Sequence, residues 1–235
     1  MTTTSTSAIH TGFEQARFNM IEQQIRPWEV LSPQVLDLLS RIHREAFVPA
    51  AHRALAFADM ELPLTHPAVE GQCMLAPKVE ARLLQDLDLK PTDKVLEIGS
   101  GSGHMAALLA CLSHSVVSVE IDPVLAATAR ENLRNAGITN VEVKHADAAA
   151  QGFAACSVHG PFDAIVLSGS VAEIPPALLA LLAPGGRLAA IVGHEPMMRA
   201  TIVTRTADAS FQTAQPWDTV APRLLNFPEA SSFRF

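Results

Sequence analysis

Read from the amino terminus, apolar positions first recur at helical spacing between Glu14 and Ile25, where Phe18, Ile21 and Ile25 define one face. Arg26-Pro27 is expected to end that helix, because the residue before a proline is pushed away from the α region. Ser32-Pro33 sets up a second helix, with a serine cap and proline at the first helical position ahead of Val35, Leu36, Leu38, Leu39 and Ile42. Residues 1–12, rich in Thr and Ser, offer little apolar surface to offset the entropy of ordering and are expected to form a disordered tail. From Phe47 to Pro77 prolines are frequent and periodicity is lost. This stretch reads as an irregular segment lying over the rest of the molecule, and long loops of that kind are usually functional.

Beyond a helix at Val79–Leu87 the pattern becomes regular. Short β-branched runs at Lys94–Ile98, Val116–Glu120, Val141–His145, Ala164–Leu167 and Arg187–Val192 alternate with helical stretches. Val203 and the region around Val220 are candidate antiparallel edge strands. Such alternation predicts an α/β fold, a doubly wound and mostly parallel sheet covered on both faces, with an N-terminal helical and loop extension. No repeat at a fixed period interrupts it. One domain over 13–235 is expected, with the helices and cover segment in 13–90 and the sheet in 91–235.

Composition narrows the function classes. Apolar residues make up 49% of the 235 and charged residues 17%, which suits a large buried core. The net charge of -7 without a Lys/Arg cluster argues against a nucleic-acid partner. Apolar stretches such as Ala177 to Ala183 are far short of the ~20 residues of a membrane span, and no basic start with an apolar core marks export, so a cytoplasmic location is expected. Cys73, Cys111 and Cys156 are widely spaced, read as small buried apolar residues. His104, His114 and His145 are placed on loops and strand ends, and no ligand spacing suggests a metal.

The chemistry concentrates where the first strand breaks into Gly99-Ser100-Gly101-Ser102-Gly103 and then into a helix from His104 to Leu112. Glycines there permit positive φ and close approach of a ligand, and the helix start adds free N–H groups that suit a carboxylate or phosphate. Gly101-x-Gly103-x-x-Ala106 also satisfies the dinucleotide fingerprint. Three acids favour S-adenosylmethionine instead: Glu97 two residues before the loop, Glu120 at the end of the second strand facing a ribose, and Asp147 after the third strand where an adenine amine needs an acceptor.

Several further pieces stand in a fixed order: Arg44-Glu45-Ala46-Phe47-Val48-Pro49, Asp59-Met60-Glu61-Leu62-Pro63-Leu64, Gly71-Gln72 with Ala76-Pro77, the glycine loop, Pro161-Phe162-Asp163-Ala164-Ile165, and Pro184-Gly185-Gly186-Arg187-Leu188. Over roughly residues 15–225 the chain resembles the protein-L-isoaspartate O-methyltransferase family, within the seven-stranded, Rossmann-like S-adenosylmethionine-dependent methyltransferases. The resemblance implies transfer of a methyl group to the free carboxylate of isoaspartyl residues in damaged proteins or peptides. It implies a cofactor site of Pro77, Lys78, Glu97, Gly99, Ser100, Gly101, Gly103, Glu120, Ile121, Asp147 and Ala148, with Lys78 pairing the cofactor carboxylate, and an acceptor site of Cys73, Met74 and Leu75. Two positions depart from the family pattern. Leu75 stands where the family has a serine beside the substrate carboxylate, and Phe57 where it often has tyrosine. A small-molecule methyltransferase on the same scaffold, or a cofactor-binding module without turnover, is the alternative, and a monomer is the simpler expectation for its oligomeric state.

Overall fold

The computed structural model describes residues 3–207 and 210–229. The backbone is helical from Thr3 (α1, Thr3–Met20), where the sequence predicts a disordered tail over 1–12. Residues 1 and 2 lie outside the described residues. Extending a nucleated helix gains one hydrogen bond for each residue fixed, so α1 continues upstream through weak helix formers. At its other end the chain widens into a π turn over Ile21–Ile25 and tightens into a 3-10 turn over Arg26–Trp28. Arg26 keeps α-region angles of −59° and −43°, so the proline is met by changing the helix pitch and the chain leaves helical geometry only at Glu29. The buried apolar side chains over residues 12–28 are Met20, Ile21 and Ile25, whereas Phe18 points outward.

Helix α2 (Pro33–Arg41) starts on Ser32 as expected and buries Val35, Leu36, Leu38 and Leu39. The irregular segment that follows holds 3-10 turns at Arg44–Ala46 and Ala50–Leu55 and one very short antiparallel ladder, β1 (Leu62–Pro63) with β2 (Cys73–Met74). Helix α3 (Pro77–Leu87) leads into the main sheet, formed by β3 (Lys94–Ile98), β4 (Ser115–Glu120), β5 (Val141–His145), β6 (Phe162–Val171), β7 (Leu182–His194), β8 (Met197–Ala207) and β9 (Ser210–Thr219). The order is β5-β4-β3-β6-β7-β8-β9. Its first five strands are parallel, and β8 and β9 return antiparallel as an edge hairpin. Val203 lies in β8, and β9 ends one residue before Val220.

Alternation along the central strands divides the interior in two. Val95, Ala164, Val166, Ala189 and Ile191 face a core shared with α1 to α5, including α4 (His104–Leu112) and α5 (Pro123–Asn135). Leu96, Ile98, Ile165, Leu167, Leu188 and Ala190 face a second core with Phe153, Cys156, Leu178 and Phe227. Only Cys156 of the cysteines is buried, while Cys73 is half-buried and Cys111 exposed. Between β3 and β6 the order of connection reverses direction, and in open α/β sheets ligands bind in the crevice that opens beyond the strand ends at such a point.

Candidate functional site

The crevice at that switch point is floored by the glycine loop. Gly99, Gly101 and Gly103 have φ of 95°, 50° and 85°. A Cβ on Gly99 would meet Leu224 at 3.1 Å and one on Gly101 would meet Leu64 at 3.0 Å, so side chains there would fill the crevice. Gly103 has a different task. Its Cβ would lie 3.2 Å from the Ala129 backbone, so this glycine lets α4 and α5 pack closely.

The larger of two adjoining cavities, about 740 Å³, runs over Gly99 and Gly101 past Glu120, Ile121, Asp147 and Ala148. Glu120 is held by backbone donors, Gly101 N–H at 2.8 Å on Oε2 and Asp122 N–H at 3.0 Å on Oε1. The loop and the second strand are thereby locked together. Asp147 accepts from Ala149 N–H at 3.0 Å and from the Asn226 amide at 2.7 Å. The cover ladder closes the opposite wall through Leu64, Gln72 and Cys73. The Gln72 amide donates to Asp122 Oδ2 at 3.1 Å, and Asp122 in turn caps α5 through the N–H groups of Val124 and Leu125.

The smaller cavity, about 280 Å³, lies between β2 and the other side of the glycine loop, against Cys73, Met74, Leu75, Ser100, Ser168 and His104. Burial, with Glu61 beside it, pushes the Cys73 thiol up to about 12, so it stays protonated and apolar in character. Beneath this cavity is a cluster of buried charge. Arg44 pairs with Glu80 and donates to the carbonyls of Ala56 at 3.0 Å and Leu75 at 2.7 Å. His104 Nδ1 is 3.0 Å from the same Glu80 oxygen. Burial would raise the Glu80 carboxyl, but the charges of Arg44 and His104 more than offset it and hold the group below its ordinary value.

Not every expected site residue reaches a cavity. Lys78 is 2.7 Å from Asp59 and lies over the Trp28 ring at 4.3 Å, away from both cavities. Pro77 is buried at the first position of α3 and Gly103 in helix packing, so both shape the site without lining it. Glu97 is fully buried under the loop, accepting from the Ser118 and Ser168 hydroxyls. Burial chiefly pushes it up to about 7. His104 opens α4, the helix expected over His104–Leu112, and is almost wholly buried. Sequence reading missed Arg44 and Glu80 as site-bearing charges, along with Ser168 and the segment Arg223 to Phe227 that closes the larger cavity. A buried Glu at a core-facing position of α3 was the available signal.

Known proteins resemble this chain in sequence and in fold. A family model described as protein-L-isoaspartate(D-aspartate) O-methyltransferase (PCMT) matches residues 15–220. Proteins named protein-L-isoaspartate O-methyltransferase from Koribacter versatilis and Methanoculleus marisnigri are 39% and 42% identical to this chain. The first alignment covers 83% of this chain and 84% of the relative, the second 75% and 77%. Among solved structures, a beta-aspartate methyltransferase (PCMT) from Plasmodium falciparum in complex with S-adenosyl-L-homocysteine superposes with a TM-score of 0.70 at 21% identity, covering 90% of this chain and 98% of that one. At that identity the likeness speaks for the fold.

Proposed function

Because the chain belongs to the protein-L-isoaspartate(D-aspartate) O-methyltransferase family, we propose that it transfers the methyl group of S-adenosylmethionine to the free carboxylate of isoaspartyl residues, in the crevice over Gly99–Gly103. The observation that carries this reading is the larger cavity, where a glycine floor that any Cβ would obstruct meets a backbone-anchored Glu120 and Asp147.

When bound, S-adenosylmethionine supplies a methyl group on a sulfonium, which is already a strong electrophile. The acceptor carboxylate is ionised at neutral pH because its unperturbed pKa is near ~4. No side chain has to remove a proton. What the protein contributes is alignment of acceptor, methyl carbon and sulfur within about 3–3.5 Å and exclusion of water. Glu120, oriented by two backbone N–H groups, would present its remaining lone pairs to the ribose hydroxyls, and Asp147, Ala148 and Ile121, which line the same cavity, would hold the adenine side. The loop backbone from Gly99 to Gly101, with Ser100, would hold the amino-acid end. Glu97 supports the loop from below through Ser118 and Ser168. Met74 and Leu75, both buried, and Cys73 form the wall on the acceptor side.

No helix among the described residues is long and apolar enough to cross a membrane. A cytoplasmic monomer acting on damaged proteins or peptides fits three unpaired cysteines and the acidic surface.

The test supplies labelled S-adenosylmethionine with matched peptides containing aspartate or isoaspartate. Label transferred only to the isoaspartyl peptide is expected, and Leu75→Ser should raise kcat/KM by about one to two decades, the worth of a hydrogen bond to a charged group. Equal inactivity toward both peptides, with S-adenosylhomocysteine binding intact, overturns the reading and favours a small apolar acceptor.

A further inference from the structure

The mechanism above leaves one buried group without work. His104 is 2% exposed and stands at the first position of α4, lining the smaller cavity beside Leu75 and Gly99. Its Nδ1 faces Glu80 Oε2 at 3.0 Å, and Arg44 Nη1 donates to that same oxygen, so the 3.4 Å approach of Nη1 to Nδ1 is the edge of a shared acceptor. The carboxylate therefore places a proton on Nδ1. Nε2 is buried and has no hydrogen-bond partner among the described residues. A polar atom taken out of water without a partner is costly, which points to a partner that arrives with a ligand.

The surroundings select the sign of that ligand. The first turn of α4 offers N–H groups that no helical carbonyl satisfies, and the positive end of its dipole, to whatever occupies this cavity. The charged groups packed around the ring are Arg44 from the 3-10 turn and Glu80 from α3, with Glu97 of β3 close enough to Glu80 to be coupled to it. Arg44 and Glu80 cancel. A carboxylate entering beside a neutral imidazole would leave one uncompensated buried negative charge, whereas beside an imidazolium the cluster is balanced.

We propose that His104 Nε2, as the imidazolium, donates a hydrogen bond to a carboxylate bound between β2 and the glycine loop, standing in for the hydroxyl that Leu75 lacks. The proposal deepens the reading of the site given above and rests on it. Glu80 acts as the positioning residue that holds the ring, and no covalent bond changes. Two carboxylates meet this chemistry, that of the cofactor's amino-acid end and that of the isoaspartyl acceptor.

Titration calorimetry with S-adenosylhomocysteine and with methylthioadenosine, which lacks the amino-acid end, separates the two sources when paired with peptide kinetics. The variants are His104→Leu and His104→Gln, the second keeping the volume and one neutral donor should the first fail to fold. If the cofactor carboxylate is the partner, both variants weaken S-adenosylhomocysteine by about 10- to 100-fold and leave methylthioadenosine unchanged. If the acceptor carboxylate is the partner, KM for the isoaspartyl peptide rises by a similar factor with cofactor affinity intact, and Leu75→Ser in the His104→Gln background restores it. A wild type inactive on the peptide overturns the isoaspartyl reading alone, and calorimetry then decides for His104. Unchanged affinity and KM in His104→Gln, or S-adenosylhomocysteine and methylthioadenosine weakened alike with KM unchanged, overturns the proposal.

Discussion

The two adjoining cavities are built in opposite ways. The larger one is made of backbone and strand tips: glycines, N–H groups and two carboxylates whose partners are main-chain or amide donors. The smaller one is held up by side chains drawn from separate elements, with Arg44, Glu80 and His104 brought together from positions up to 60 residues apart. A site of the first kind survives most distant substitutions because its geometry is that of the loop itself. A site of the second kind fails when any one of its charges is removed, since the others are left buried and unpaired.

That contrast can be broken most directly at Glu80. Glu80→Ala leaves the Arg44 guanidinium with carbonyl partners only, and a loss of about 3–5 kcal/mol in urea unfolding is expected. A loss under 1 kcal/mol would show that the cluster is not a unit. By contrast, Glu120→Gln keeps one acceptor and should alter unfolding far less than cofactor affinity.

Next in size is the pH dependence of Glu97, which is buried under the glycine loop that both cavities share. Its carboxyl is held near 7 in the folded chain, chiefly by burial, against an unfolded value of 4.5. The folded state thus binds the extra proton between those values, and the stability Glu97 contributes is full below 4.5 and declines as pH rises to 7. The expected decline is on the order of 2–4 kcal/mol. Unfolding of Glu97→Gln compared at pH 5 and 8 should lack it. Glu80 has the opposite sign, because its lowered value makes its contribution present above the ordinary carboxylate range and lost as pH falls through the folded value.

A smaller effect separates two glycines of one loop. Gly103→Ala combines a positive φ with a contact to the Ala129 backbone, and should cost about 1–3 kcal/mol of stability by thermal unfolding. Gly101→Ala shares the positive-φ strain but meets only the tip of Leu64 and no backbone, so weaker S-adenosylhomocysteine binding should accompany a smaller loss of stability. If the two variants behave alike, the loop is a single packing unit and the distinction fails. Smallest of all is Asn226→Ala, which frees Asp147 Oδ2 at a cost of no more than about 0.5 kcal/mol, with cofactor affinity equal or higher. A drop in affinity would mean that Asn226 itself touches the adenine.

The same contrast explains what could be read from the chain beforehand. Strands, the glycine loop and the acids at strand tips follow from periodicity and local turn chemistry, so Gly99, Glu120 and Asp147 were visible as a set. The Arg44–Glu80–His104 cluster has no local signature beyond a Glu at a core-facing position of α3, because its members share neither a helix face nor a turn. Lys78 was misread for a related reason: its place after Pro77 fixes where the side chain starts, while Trp28 and Asp59, from distant segments, decide where it goes. The long β6 to β9 strands were underestimated because Gly and Pro interrupt their apolar runs, yet parallel and hairpin pairing carries the strands through them. The helical start at Thr3 reflects propagation from a packed segment, which composition does not register.

The strap formed by Gln72 on Asp122 joins the cover segment to the start of α5. Gln72 belongs to the wall of the larger cavity, and its anchor sits two positions past Glu120. Whatever loosens that amide therefore reaches the cavity wall and the helix cap together, through a tether separate from the lining acids Glu120 and Asp147.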